Sequence, residues 1–213
     1  MPETREEILA RIRSALRDAG DREVAAERAA IARGYIRSGH LGPEARLHLF
    51  MDRLRDYDAH VVETSADSLP RTIAALLAEH NQKKVIAAAG LPEGLLPGEL
   101  SFIPEKQADI QDLNDCDGIV TICTSAIAAT GTIVLTHGPG EGRRRLTLLP
   151  DRHLCVVRAE QVVETVPEAI ERLGGLATHP LTFISGPSAT ADIEMTRIRG
   201  VHGPRFLEVV LVR

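Results

Sequence analysis

The rhythm of apolar and polar positions changes once along this chain. In the first quarter, apolar residues recur three and four apart: Ile8, Ile12 and Leu16, then Leu47, Phe50, Leu54 and Tyr57. That spacing predicts amphipathic helices. Thr4-x-x-Glu7 forms a capping box for the first helix and Gly20 offers its stop, while Pro43 stands where a first helical turn tolerates proline. Residues 22–38, rich in Ala, Arg and Glu with few large apolar groups, predict a helix that is either held by tertiary contacts or left mobile.

From Ala59 the pattern becomes short apolar runs alternating with helical stretches. Strands are predicted at 60–64, 84–89, 119–123, 133–136, 151–157, 181–184 and 206–212, the last of them inside the sheet. Ser68-Leu-Pro70 opens a helix through Ile73, Leu76 and Leu77, and Thr165-x-x-Glu168 opens another that Gly174-Gly175 stops. Shorter helices are expected at 126–129, capped by Thr124 or Ser125, at 160–163, and after Ser188 or Thr190, carrying Ile193 and Met195. This succession predicts an α/β fold with a mostly parallel sheet flanked by helices on both faces. Residues 1–57 then form an N-terminal helical extension and residues 58–213 the α/β domain. The stretch 90–105, broken by Pro92, Pro97 and Pro104 and three glycines, reads as a long irregular connection of the kind that often serves as a lid.

Composition narrows the function classes. With 30 acidic against 25 basic side chains the formal net charge is −5, which argues against a dedicated nucleic-acid binder. No apolar run approaches the roughly 18–20 residues of a membrane span, and the first residues do not read as a signal peptide, so a cytoplasmic location is expected. Cys116, Cys123 and Cys155 lack the spacing of zinc or iron–sulfur ligands and read as buried small hydrophobes; no metal site is expected.

Candidate chemistry gathers in three stretches. Ser185, Gly186, Ser188 and Thr190 form a strand-to-turn segment whose backbone N–H groups suit an anion; the competing reading is ordinary turn chemistry, with Asp192 satisfying the helix dipole. Ser125, Thr130, Gly131 and Thr132 lie at an element end, where open α/β sheets bind ligands, or else form a plain turn in which Gly131 supplies a positive φ. Gly138, Gly140, Arg143 and Arg144 combine a flexible turn with cations suited to carboxylate or phosphate, or form a solvated basic loop. Neither a dinucleotide fingerprint nor a P-loop is present. Near the C-terminus Asp192, Glu194, His202, Gly203 and Arg205 make a charged constellation: Arg205 would hold an anion and His202 exchange a proton, or Arg205 pairs internally with Asp192 or Glu194. Asp151 and His153, two apart on a strand, share a face and could meet, unless Asp151 caps its turn.

Ser185-Gly-Pro-Ser-Ala-Thr-Ala-Asp-Ile-Glu194 followed by Gly200-Val-His-Gly-Pro-Arg205 resembles the C-terminal signature of the LUD family, in its lactate-utilisation protein C branch. Residues 126–135 with Gly138-Pro-Gly140 and the segment 146–157 look like the family's central motif. The resemblance implies a fold related to the NagB/RpiA/CoA-transferase group and a role in bacterial oxidation of L-lactate to pyruvate. It names no cofactor. Because these cysteines cannot ligate a cluster, the redox centre is expected on iron–sulfur partner proteins, with this chain binding a small anionic substrate or cofactor. Ala129 and Thr124 stand where the resembled families more often carry acidic residues, which removes a carboxylate nucleophile of the CoA-transferase kind. Two alternatives remain: a freestanding enzyme of isomerase, cyclo-ligase or CoA-transferase type, and a ligand-sensing module.

Overall fold

The computed structural model describes residues 4–16, 21–176, 179–190, 198–200 and 203–213. It divides into two compact units, Met1–Tyr35 and Ile36–Arg213. The first holds α1 (Arg5–Leu16) and α2 (Asp21–Ala30). Thr4 N–H donates to Glu7 Oε2 at 2.7 Å, and Glu7 N–H to Thr4 Oγ1 at 3.4 Å, so the capping box forms.

The second unit opens with α3 (Pro43–Asp56), which places the expected boundary at residues 57/58 inside this unit. In chain order there follow β1 (His60–Thr64), α4 (Leu69–Glu79), β2 (Val85–Ala87), β3 (Phe102–Pro104), α5 (Ile110–Asp115), β4 (Gly118–Ile122), β5 (Ser125–Ile127) and β6 (Thr132–Leu135). Then come β7 (Arg152–Arg158), β8 (Val162–Val163), α6 (Val166–Arg172), β9 (Thr182–Ile184), β10 (Ala189–Thr190), β11 (Ile198–Arg199) and β12 (Phe206–Val212).

Six strands form one wholly parallel sheet in the order β1-β12-β7-β4-β2-β3. Its centre reads as continuous apolar runs because both faces are covered. On one face Val61, Cys155, Val157, Leu207, Val209 and Leu211 pack against Leu47, Phe50, Met51 and Leu54 of α3. On the other Leu154, Val156, Val210 and Val212 meet Leu69, Ile73, Leu76 and Leu77 of α4. Each such fully buried large side chain contributes about 1.5–3 kcal/mol relative to exposure. As the pattern predicts, β12 is interior, paired on both sides.

Four expectations are corrected. A second, four-stranded sheet of order β8-β5-β6-β9 accompanies the parallel one, and it takes the strand predicted at 181–184. Residues 126–129 are not helical: β5 pairs antiparallel with β6 and parallel with β8. Alanine favours a helix in isolation, but Ala126, Ile127 and Ala128 are wholly buried between neighbours that offer backbone partners on both sides, so tertiary pairing outweighs propensity. Residues 160–163 likewise form a 3-10 turn, Ala159–Gln161, running into β8. After Ser188 the chain pairs as a ribbon, Ala189 opposite Arg199 and Thr190 opposite Ile198, where a helix was expected to begin. Ile193 and Met195 lie outside the described residues.

Candidate functional site

Chain direction fixes where a ligand can sit. From β2 the chain moves outward to β3, whereas from β4 it moves the opposite way to β7 and β12, so the connections diverge between β2 and β4. Open α/β sheets bind ligands in the crevice outside the strand ends at such a point. Here that crevice is spanned by the 137–147 loop. Gly140 N–H donates to Ala89 O at 2.7 Å, just beyond β2, and Ile122 N–H at the end of β4 donates to Gly140 O at 2.8 Å. A Cβ on Gly140 would stand 2.6 Å from the Ile122 side chain, and its φ is +81°, so glycine is required for this bridge.

Beside the bridge lies a cavity of about 560 Å³ lined by Ala89, Gly90, Glu105, Lys106, His137, Gly138, Pro139, Gly142 and Arg143. Its framework is built by hydrogen bonds. Buried Glu105 accepts from Ala89 N–H at 3.0 Å, Arg143 N–H at 2.9 Å and Arg143 Nε at 3.1 Å. Burial alone would raise the Glu105 carboxyl, but the N–H groups of Arg143 and Ala89 and the Arg143 guanidinium outweigh it and hold it below its ordinary value. Glu141, also buried, accepts from Thr136 N–H at 2.6 Å, Thr136 Oγ1 at 2.9 Å, Gly138 N–H at 3.3 Å and the Thr124 hydroxyl. His137, at a positive φ of 59°, bonds Gly142 O through Nδ1 at 2.9 Å and Thr182 Oγ1 through Nε2 at 2.8 Å. A carbonyl only accepts, so Nδ1 carries the proton. Lys106 is exposed and makes no ion pair among the described residues, leaving the cavity a cation to offer.

A second cavity of about 230 Å³ lies under the turn after β9. Arg144, Thr147, His153, Thr182, Ser185, Gly186, Ser188, Gly203 and Leu207 are among its walls. Ser188 N–H donates to Pro204 O and Gly200 N–H to Ser188 O, both at 2.8 Å, which locks the two C-terminal turns together. The loop links the cavities, because His137 lines the larger and bonds Thr182 of the smaller.

The sequence-predicted residues therefore divide. Gly138 and Arg143 line the larger cavity; Arg144, Ser185, Gly186, Ser188 and Gly203 line the smaller. Thr130, Thr132 and Ser185 meet in a chain of hydroxyls at 2.7 Å each, which ties the β5–β6 hairpin to the C-terminal turn. Gly131 turns that hairpin against Arg53 of α3. Ser125 is wholly buried with its hydroxyl on Gln161 O at 3.2 Å, and it lines neither cavity. Thr190 sits in the ribbon. Arg205 pairs with Asp151, through Nε at 2.9 Å and a close Nη2 contact. The meeting of Asp151 with His153 that the spacing allowed is not among the hydrogen bonds of the described residues: His153 Nε2 bonds Thr121 Oγ1 at 2.7 Å. Asp192, Glu194 and His202 lie outside the described residues. The three cysteines are buried thiols; burial pushes Cys116 up to about 11.

Sequence reasoning missed Glu105, Lys106, His137 and Glu141; it singled out His153, but beside Asp151 and not with Thr121, its partner here. For Glu141 the signal was Thr124: the carboxylate absent at that position comes from Glu141, bonded to the Thr124 hydroxyl.

The LUD domain profile matches residues 47–212. The chain belongs to the LUD domain family. Lactate utilization protein C of Deinococcus radiodurans is 44% identical over 169 residues, covering 78% of this chain and 79% of that protein. The protein of the same name from Halalkalibacterium halodurans is 30% identical over 160 residues, covering 68% and 69%. In structure this LUD chain is similar to a DUF162 family protein from Deinococcus radiodurans, solved at 1.70 Å, with a TM-score of 0.71 and 36% identity over 82% of this chain and all of that one. No helix among the described residues is long and apolar enough to cross a membrane.

Proposed function

We propose that this LUD protein is a non-redox component of a bacterial L-lactate utilisation system, working in the cytoplasm and binding a small anionic substrate or cofactor. It serves the oxidation of L-lactate to pyruvate together with iron–sulfur proteins. The observation that carries the reading is the prebuilt cavity at the divergence of β2 and β4, which presents Lys106 and Arg143 to a negative ligand in a chain whose relatives are named Lactate utilization protein C. Lactate and pyruvate are both anions. The spacing of Cys116, Cys123 and Cys155 gives no cluster ligand set, so electrons pass to a partner's iron–sulfur centre.

The chain's own residues supply binding and orientation. Glu105 fixes the Arg143 backbone and guanidinium, Glu141 fixes the turn at Gly138, and His137 couples that turn to Thr182. Such preorganisation lowers the cost of ordering a loop around a ligand. A freestanding acyl-transfer enzyme needs an available carboxylate nucleophile. Glu141 and Glu105 are buried and occupied by four and three donors respectively, and neither presents one.

The test is affinity capture with the tagged full chain from the native host grown on L-lactate, with glucose-grown cells as control. The expected result is co-purification of proteins carrying iron and acid-labile sulfide in the lactate sample. Recovery of the tagged chain alone from lactate-grown cells contradicts the proposal.

A further inference from the structure

The two cavities differ in size, and the difference separates the ligands they can take. The larger, about 560 Å³, falls within the roughly 300–1,000 Å³ of sites that hold cofactor- or drug-sized molecules. The smaller, about 230 Å³, falls below that range and suits a ligand of a few heavy atoms. Its described walls also differ in charge. Arg144 is their one constant charge, and no carboxylate is among the described residues that line this cavity, whereas Glu105 lines the larger one.

Arg144 is held in place by its own turn: Nη1 donates to Thr147 Oγ1 at 2.7 Å, and among the described residues Arg144 makes no ion pair. A guanidinium so placed suits a carboxylate, which it can engage through parallel N–H groups. His153 lines the cavity and is almost wholly buried, with Nε2 bonded to the Thr121 hydroxyl. Burial alone takes this imidazole down to about 4, so it is neutral at physiological pH. The Thr121 hydroxyl can donate to Nε2 or accept from it, and the opposite ring nitrogen then takes the complementary role. It accepts toward a hydroxyl and donates toward a carbonyl. Ile184 and Leu207 complete the wall with apolar surface fit for a methyl group.

We infer that the smaller cavity is the compartment for a short 2-hydroxy- or 2-oxo-carboxylate, with Arg144 on the carboxylate and His153 on the oxygen at the second carbon, leaving the larger cavity for a bulkier anion. This assignment rests on the lactate-system reading above. His153 is a binding residue whose tautomer adapts to the oxidised or reduced acid.

The experiment is calorimetric titration of the full chain with sodium pyruvate and with sodium L-lactate, against sodium chloride, for wild type, Arg144→Ala and Lys106→Ala. Histidine ring ¹⁵N resonances are followed in parallel. Saturable binding of both acids is expected, weakened roughly tenfold or more in Arg144→Ala by loss of a charge-assisted contact. The His153 ring resonances should move on saturation, and in opposite senses for the two acids as the tautomer changes. Wild-type affinity in Arg144→Ala, or a loss appearing in Lys106→Ala instead, overturns the assignment by moving the acid to the larger cavity, and leaves the lactate reading standing. Stationary His153 resonances overturn the role of that residue. Absence of saturable binding overturns the compartment itself, while capture of iron–sulfur partners independently decides the wider reading.

Discussion

His153 gives the account a quantitative handle. Its ring is buried to 1% exposure and carries a pKa near 4, against about 6.5 in an unfolded chain. A folded-state value depressed below the unfolded one means that the unfolded chain binds the extra proton first. Stability from this group is therefore intact above pH 6.5, declines as pH falls through the interval between 6.5 and 4, and is fully lost below it. A separation of about 2.5 pH units corresponds to about 3 kcal/mol in all, of which about 2 kcal/mol is gone by pH 5. The perturbation is His153→Gln, whose amide can keep a hydrogen bond to Thr121 and does not titrate. Urea unfolding at pH 7.5, 6.5, 5.5 and 5.0 measures both proteins. Carboxylates titrate alike in the two and cancel in the difference. The variant should start less stable at pH 7.5 and then lose about 2 kcal/mol less than wild type on going to pH 5. Parallel pH profiles for the two proteins refute the reasoning, because they mean that His153 either titrates normally or reaches solvent.

Other perturbations test the framework around the cavities. Glu141→Ala leaves the donors of Thr124, Thr136 and Gly138 without their acceptor and should cost about 3 kcal/mol in urea unfolding; a change within 0.5 kcal/mol would mean the loop does not depend on this carboxylate. Gly131→Ala meets both a φ of +57° and backbone atoms of Arg53 at 2.8 Å, whereas Gly94→Ala at φ +75° meets open space. The first should destabilise by at least about 2 kcal/mol and the second by about 1 kcal/mol, and equal losses would refute the close approach of hairpin to α3. Glu208 is buried on β12 with His80 Nε2 at 2.9 Å and Arg152 Nη1 at 3.7 Å, yet neither of its oxygens has a well-aligned hydrogen bond, and burial outweighs those neighbours to raise its pKa. A raised carboxyl binds its proton more tightly in the folded state, so its contribution is greatest below the unfolded value and falls as pH rises through the folded one. Glu208→Gln should remove that fall from the pH–stability profile; an unchanged slope above pH 4.5 counts against it.

Much of the fold was legible because parallel strands buried on both faces must be apolar throughout, as β7 and β12 are, and because Pro43, Thr165 and Glu168 announce helix starts by local chemistry. What escaped was the second sheet. Ala126–Ala129 has the composition of a helix, and only the neighbours β6 and β8, distant in sequence, make it a strand. The site was half legible for a related reason. Arg143, Arg144 and the turn at Ser185 stand out as anion-suited residues, but which cavity each faces depends on the Gly140 bridge between β2 and β4. Glu105 and Glu141 carry no local signature, since their importance comes from burial among donors that folding brings together; for His153 the strand spacing gave the residue but not its partner Thr121. Arg205 has a partner in Asp151, 54 residues away in the chain, a separation that no local pattern reveals.

We propose above that this chain serves L-lactate oxidation through an anion site at the sheet's divergence point. Growth of a strain lacking the gene, on L-lactate as sole carbon source with glucose as control, tests it most directly. Growth should be lost on L-lactate alone, restored by the intact gene and not by a Lys106→Glu copy that accumulates to the wild-type level. Growth at the parental rate on L-lactate, in a deletion strain with no other lactate oxidase, would contradict it.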